Sequence, residues 1–122
     1  MKLTLPFSLV KHIFGLPLIS RPRYLVEEVS ESPLLEQLQP DVLFLEIRGR
    51  FPKWLHLSCP KCGEHIQLPM AGKEHWELRV DMLRRPTVLP SIWETQSCGA
   101  HFWIRKGGII WCREISGEPY VI

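Results

Sequence analysis

With 122 residues, 45% of them apolar, the chain is long enough for one packed core and too short for two, which predicts a single domain over residues 1–122. Fifteen basic residues against 13 acidic ones leave a formal charge of +2, a balance that argues against nucleic-acid binding through many phosphate contacts. Eleven prolines and 8 glycines spread along the chain argue for short strands joined by turns, a mainly β fold.

Met1 to Ser20 is apolar, but Lys11-His12 and two prolines interrupt it, and no stretch reaches the roughly 20 apolar residues of a membrane span. No small-residue cleavage site follows a clean apolar run. The segment is expected to pack on the domain or on a partner. It is expected to form an N-terminal extension or lobe over residues 1–40, ahead of a β core over 41–122, in a cytoplasmic protein without membrane contact.

Tyr24 to Val29 predicts a strand. Ser32 to Gln39 predicts a short helical turn capped by Ser32, with Pro33 at the first helical position. Val42 to Arg48 predicts a buried strand, and Trp54 to Leu57 with His65 to Leu68 predict a hairpin whose tip is Cys59-Pro60-Lys61-Cys62-Gly63. Strict alternation from Glu77 to Met82 should turn Leu78, Val80 and Met82 to the core. Pro86 to Trp93 reads as a turn between hydrophobic stretches. His101 to Arg105 and Ile109 to Arg113 flank Lys106-Gly107-Gly108, a hairpin signal. A two-residue Lys106-Gly107 turn puts His101 opposite Cys112; a three-residue loop puts Phe102 there instead. The expected fold is a small, mainly β, antiparallel domain with a minor helical element near its N-terminus.

Two cysteines three positions apart on a tight turn grip one metal ion from the same side. Pro60 stiffens that turn, and Gly63 tolerates the backbone geometry that aims amides at the sulfurs. Cys98 and Cys112 bring the count to four, the number a closed tetrahedral thiolate site needs. Structural zinc on Cys59, Cys62, Cys98 and Cys112 is expected, with iron as the distant second metal. His101 competes with Cys112 for the fourth place, because Cys98-x-x-His101 is itself a ligand spacing. A redox dithiol would want a βαβ setting with the first cysteine at a helix N-terminus, which a strand-turn-strand context does not supply.

Ser91 follows Pro90, and His101 stands ten residues later in Cys98-Gly99-Ala100-His101-Phe102-Trp103. A serine nucleophile needs a base within hydrogen-bond reach, and a metal that pins Cys98 pins His101 nearby. The plain alternative is a serine that satisfies a turn amide and a half-buried strand histidine.

The ordered set Cys59-Pro60-Lys61-Cys62-Gly63, Trp76-Glu77-Leu78, Pro86-Thr87-Val88-Leu89-Pro90-Ser91-Ile92 and the run from Cys98 to Cys112 resembles a family of small bacterial proteins. Its members, long labelled a domain of unknown function, are encoded beside ubiquitin-like, activating-enzyme-like and conjugating-enzyme-like proteins in bacterial ubiquitination-like operons. The resemblance covers roughly residues 53 to 113, and Met1 to Glu36 lies outside it. It implies a serine peptidase that trims a ubiquitin-like precursor, with Ser91 as nucleophile and His101 as base. Many relatives have a C-G-C-G pattern in the first motif where this chain has Lys61-Cys62-Gly63-Glu64-His65.

On that reading His101 takes the Ser91 proton, backbone amides near Ser91 stabilise the oxyanion, and Asp81, Glu94 or Glu64 orients the imidazole. Trp76, Trp93, Phe102 and Trp103 are available for a groove that receives an extended tail, although at least two of the four should be buried. Two other functions remain open: a zinc-binding adaptor of a ubiquitin-like pathway, and a metallopeptidase with catalytic zinc, which would need an open coordination position.

Overall fold

The computed structural model describes residues 4–115 and 118–121. Among the described residues nine strands form two sheets, and within each sheet the strands lie in sequence order. The first contains β1 (Leu25–Val29), β2 (Val42–Arg48), β3 (Phe51–Ser58) and β4 (His65–Pro69) in that order. The second contains β5 (Glu77–Val80), β6 (Pro86–Trp93), β7 (His101–Arg105), β8 (Gly108–Ile115) and β9 (Glu118–Val121). All pairs are antiparallel except β1 and β2, which run parallel and depart from the all-antiparallel expectation. A parallel pair needs a crossover rather than a hairpin, and the segment holding the 3-10 turn Leu35–Gln37 supplies it.

That turn is shorter than the sequence predicts. Leu34, not Ser32, is its N-cap, and the Gln37 side chain accepts the Leu34 amide at 2.8 Å. Ser32 instead donates its hydroxyl to Glu46 at 2.6 Å, a tertiary partner that local capping rules do not reveal. A helix at α1 (Phe7–Ile13) also escaped the sequence expectations. Val10, with Phe14 and Leu25, is buried in a small cluster that Leu5, Phe7 and Leu83 flank, so the N-terminal segment packs on its own domain.

The main core lies between the sheets. Leu43, Leu55, Leu57, Ile66 and Leu68 from the first meet Val88, Ile92, Phe102 and Ile104 from the second. Each such side chain contributes roughly 1.5–3 kcal/mol by leaving water. Alternation explains the inward set on β7, where Phe102 and Ile104 are buried while Trp103 and Arg105 lie on the opposite side. Leu78 and Val80 of β5 are half-buried against this core, but Met82 falls beyond the strand and is 59% exposed. The alternation ends because Asp81 starts a turn, its carboxylate accepting the amides of Leu83 and Arg85.

Pro86 to Trp93 is a central strand rather than a turn. Proline cannot donate to a ladder, and the sheet accommodates Pro90 by shifting register between Val88 and Ile92. The β7–β8 hairpin takes the two-residue form, with Arg105 opposite Gly108 and Phe102 opposite Trp111. Lys106 at φ 46° and Gly107 at φ 78° make the left-handed pair that a two-residue primed turn requires. Continuing that register places Cys112 across from His101.

Candidate active site and cysteine cluster

The cysteine turn joins β3 to β4 as expected. Gly63, at φ 82°, donates its amide to the Cys59 carbonyl at 3.0 Å, and the Lys61 amide points at Cys59 Sγ at 3.4 Å. Cys98 arrives from the other sheet, on the β6–β7 loop. That loop is closed by the Glu94 amide on the Ala100 carbonyl and by the Gly99 amide on the Glu94 carbonyl. The Sγ atoms of Cys59, Cys62 and Cys98 all lie within 4.8 Å of one another, with Cys59 and Cys98 3.6 Å apart. Sulfurs at tetrahedral corners around zinc, each about 2.3 Å from the ion, sit about 3.8 Å apart. The donor set and its spacing therefore fit a metal.

The Glu64 amide pulls Cys62 down, but desolvation and the neighbouring thiols of Cys98 and Cys59 outweigh it and push Cys62 up to about 11. The Ala100 amide lowers Cys98. Among the described residues the metal-sized group has three members, and Cys112 is not one of them. Cys112 lies at one wall of a cleft beside that group, its thiol pushed up by burial.

The cleft, about 550 Å³, is lined by Lys61, Trp93, Gly99, Ala100, His101, Trp111 and Cys112. His101, on its lining, has Nε2 2.9 Å from Ser91 Oγ. The register shift carries Ser91 to this position, consistent with the way bulges re-aim side chains next to functional sites. The Trp76 indole N–H donates to the Ser91 carbonyl at 3.3 Å. Trp93, directly across the ladder from His101, stacks on its ring with centroids 4.8 Å apart and planes 9° from parallel.

Of the four aromatics proposed for a groove, Trp93 alone lines the cleft, and Phe102 alone is fully buried. Trp76 and Trp103 are half-buried rather than one of them joining Phe102 inside. Trp111, which the sequence did not single out, supplies a further aromatic wall. Its place follows from the two-residue hairpin turn, which sequence left open. Of the three carboxylates considered as orienters, Asp81 pairs with Arg85 at 2.6 Å and Glu94 accepts from the Ser97 hydroxyl at 3.0 Å.

A second polar chain was not foreseen. His65 Nε2 meets His56 Nδ1 at 2.8 Å, and His56 Nε2 meets Glu46 Oε1 at 2.8 Å. Arg48 Nε donates to the other Glu46 oxygen at 2.7 Å. Burial works against the charge on Glu46, but hydrogen bonds from Ser32, His56 and Arg48 outweigh it and hold the carboxyl down to about 2. Burial, followed by the neighbouring His56, lowers His65. The signal for this chain lay in the polar residues inside otherwise apolar β2 and β3, which become informative once the register sets Glu46 and His56 diagonally across the ladder, opposite Trp54 and Phe44.

Among the described residues no helix is long and apolar enough to cross a membrane. The chain matches no curated protein and no solved structure. Residues 28–112 match the family described as bacterial ubiquitination-like system serine protease (BubE), an extent that reaches upstream of the expected boundary to take in the end of β1, the whole crossover and β2. The three-cysteine cluster, the Ser91–His101 contact and the residues lining the cleft all fall within the match, and the chain belongs to that family of serine proteases of bacterial ubiquitination-like systems.

Proposed function

We propose that this protein is a serine peptidase that hydrolyses the bond at the C-terminal end of a ubiquitin-like precursor, with Ser91 as nucleophile and His101 as base. The observation that carries this reading is the 2.9 Å contact between Ser91 Oγ and the Nε2 of His101, a histidine that lines the cleft. The chemistry follows from that pair. Nε2 accepts the hydroxyl proton as Oγ bonds to the carbonyl carbon, and backbone amides around the Ser91 bulge stabilise the oxyanion. The C–N bond breaks as Nε2–H protonates the departing amine. His101 then takes a proton from water, hydroxide attacks the ester, and the proton returns to Oγ as the acyl group leaves.

Cys59, Cys62 and Cys98 hold zinc in this reading, with Cys112 the fourth ligand that the sequence proposes. Zinc here supplies a cross-link between the sheets. Thiols kept for a metal suit a reducing, cytoplasmic compartment. The ubiquitin-like precursor is the partner, and the activating-enzyme-like and conjugating-enzyme-like proteins of such systems are further ones. The extended precursor tail would lie along the cleft between Trp93 and Trp111.

The test is to mix the purified protein with a precursor bearing its native tail and follow intact mass. Release of one defined tail fragment, abolished by Ser91→Ala and by His101→Ala in folded, metal-loaded variants, supports the peptidase. Binding of the precursor without cleavage would make the domain an adaptor instead.

A further inference from the structure

His101 presents a discrepancy between strand geometry and burial. Its β7 neighbours Phe102 and Ile104 alternate with Trp103 and Arg105, so His101 belongs to the side facing away from the core. Yet its exposure is only 8%. The cover is Trp93, itself 48% exposed, lying flat on the imidazole with ring centroids 4.8 Å apart and planes 9° from parallel. Trp93 is the cross-strand partner of His101 and stands two residues after Ser91 on β6. One strand thus carries both the nucleophile and the lid over its base.

We propose that Trp93 is a positioning residue for His101, holding the imidazole so that Nε2 stays aimed at Ser91 Oγ and stabilising the imidazolium once the proton has crossed. The inference rests on the Ser91–His101 reading above. Two physical effects support it. A histidine ring on a sheet surface turns readily about its Cβ–Cγ bond, because that torsion is broad. A flat indole at stacking distance blocks the turn, since rotation would drive a ring edge into it, and it leaves the ring-plane hydrogen bonds of the imidazole undisturbed. The indole face is also electron-rich, and a cation within about 6 Å of its centroid is attracted to it. That attraction grows as His101 becomes cationic in the transition state, so it acts on the chemical step rather than on substrate binding.

The competing role for Trp93 is a plain wall of the cleft, which would show in KM. Trp93→Leu and Trp93→Phe separate the two, because leucine keeps apolar cover without an aromatic face and phenylalanine keeps the face. With the ubiquitin-like precursor as substrate, Trp93→Leu is expected to lower kcat roughly tenfold, and Trp93→Phe to restore most of it. The half-exposed position of Trp93 allows both variants to fold, which metal content and circular dichroism check. Independently of activity, the His101 Hε1 resonance should be shifted upfield by the indole ring current in the wild type and in Ser91→Ala, and return toward its ordinary position in Trp93→Leu. Equal kcat in the two Trp93 variants, a loss confined to KM, or a His101 resonance unmoved by Trp93→Leu would each overturn the inference. If Ser91→Ala and His101→Ala cleave at the wild-type rate, the dyad falls and this role with it. The ring-current shift, still present in that case, would show that the dyad reading and not the stack had failed.

Discussion

Cys59 Sγ and Cys98 Sγ lie 3.6 Å apart although 39 residues separate them, one ending a strand of the first sheet and the other leading into a strand of the second. A metal bound there would tie the two sheets together. Cys98 is also three residues before His101, so the same bond would restrain the loop that leads into His101.

The first prediction concerns that metal. The purified protein should carry close to one zinc per chain. Cys59→Ser should lose the metal and the cooperative thermal transition together, because metal binding at such sites is coupled to folding. Cys112→Ser should stay folded but surrender zinc faster to a chelator. Metal analysis with a chromophoric chelator reads both, and release at the wild-type rate would remove Cys112 from the ligand set.

The second concerns the dyad. Ser91→Ala and His101→Ala should each lower the cleavage rate by about 10³-fold or more, and the double variant should be little worse than either single one, since the two groups act as a unit. Single-turnover mass spectrometry on the precursor measures this. Additive losses would indicate that the residues work separately.

The third is a pH dependence of stability. Glu46 sits at about 2 in the folded protein against an ordinary value of 4.5, so between those values the unfolded chain binds more protons. Its contribution is therefore full above about pH 4.5 and is lost as the pH falls toward 2. His65, also lowered, acts in the same sense: its contribution is full above its ordinary 6.5 and declines below it. Urea unfolding from pH 7 to pH 3 should show falling stability, with a flatter acid limb in Glu46→Gln. An identical acid limb in the variant would rule out this source.

The fourth concerns the hairpin turn at Gly107. A Cβ there would stand 2.6 Å from Pro22 Cβ and 2.7 Å from the Tyr24 carbonyl oxygen, on a residue with φ 78°. The turn is also clamped, its amide on the Pro86 carbonyl at 2.7 Å and its carbonyl accepting the Tyr24 amide at 2.9 Å. Gly107→Ala should cost about 2 kcal/mol or more from backbone strain and the clash. Thermal denaturation checks it, and Gly72→Ala, where a Cβ meets nothing within 4 Å, serves as the control for φ strain alone.

The elements that could be read from the chain are those whose cause is local. Val42 to Arg48 and the arms of both hairpins declared themselves through apolar runs and turn residues, and Cys59-Pro60-Lys61-Cys62-Gly63 through ligand spacing. The α1 helix did not, because its stability comes from burying Val10 against Phe14 and Leu25 rather than from caps or a long periodic face. Pro86 to Trp93 was misread as a turn because two prolines outweigh its apolar residues locally, whereas pairing on both sides and a register shift make it a strand.

For the candidate site, the sequence by itself determined the donor chemistry: four cysteines, one C-x-x-C turn, a serine and a histidine ten residues apart, within a run that carries the family resemblance. Side-chain identity is written in the chain, and so is spacing within a turn. Only the tertiary structure decided which groups meet. It brought Cys98 to Cys59 and Cys62, set Ser91 against His101, laid Trp93 over the imidazole, and joined Ser32, Glu46, His56 and His65. Each of these contacts is fixed by strand register and by the packing of one sheet on the other, and a one-residue slip in either would turn the same side chains to opposite faces.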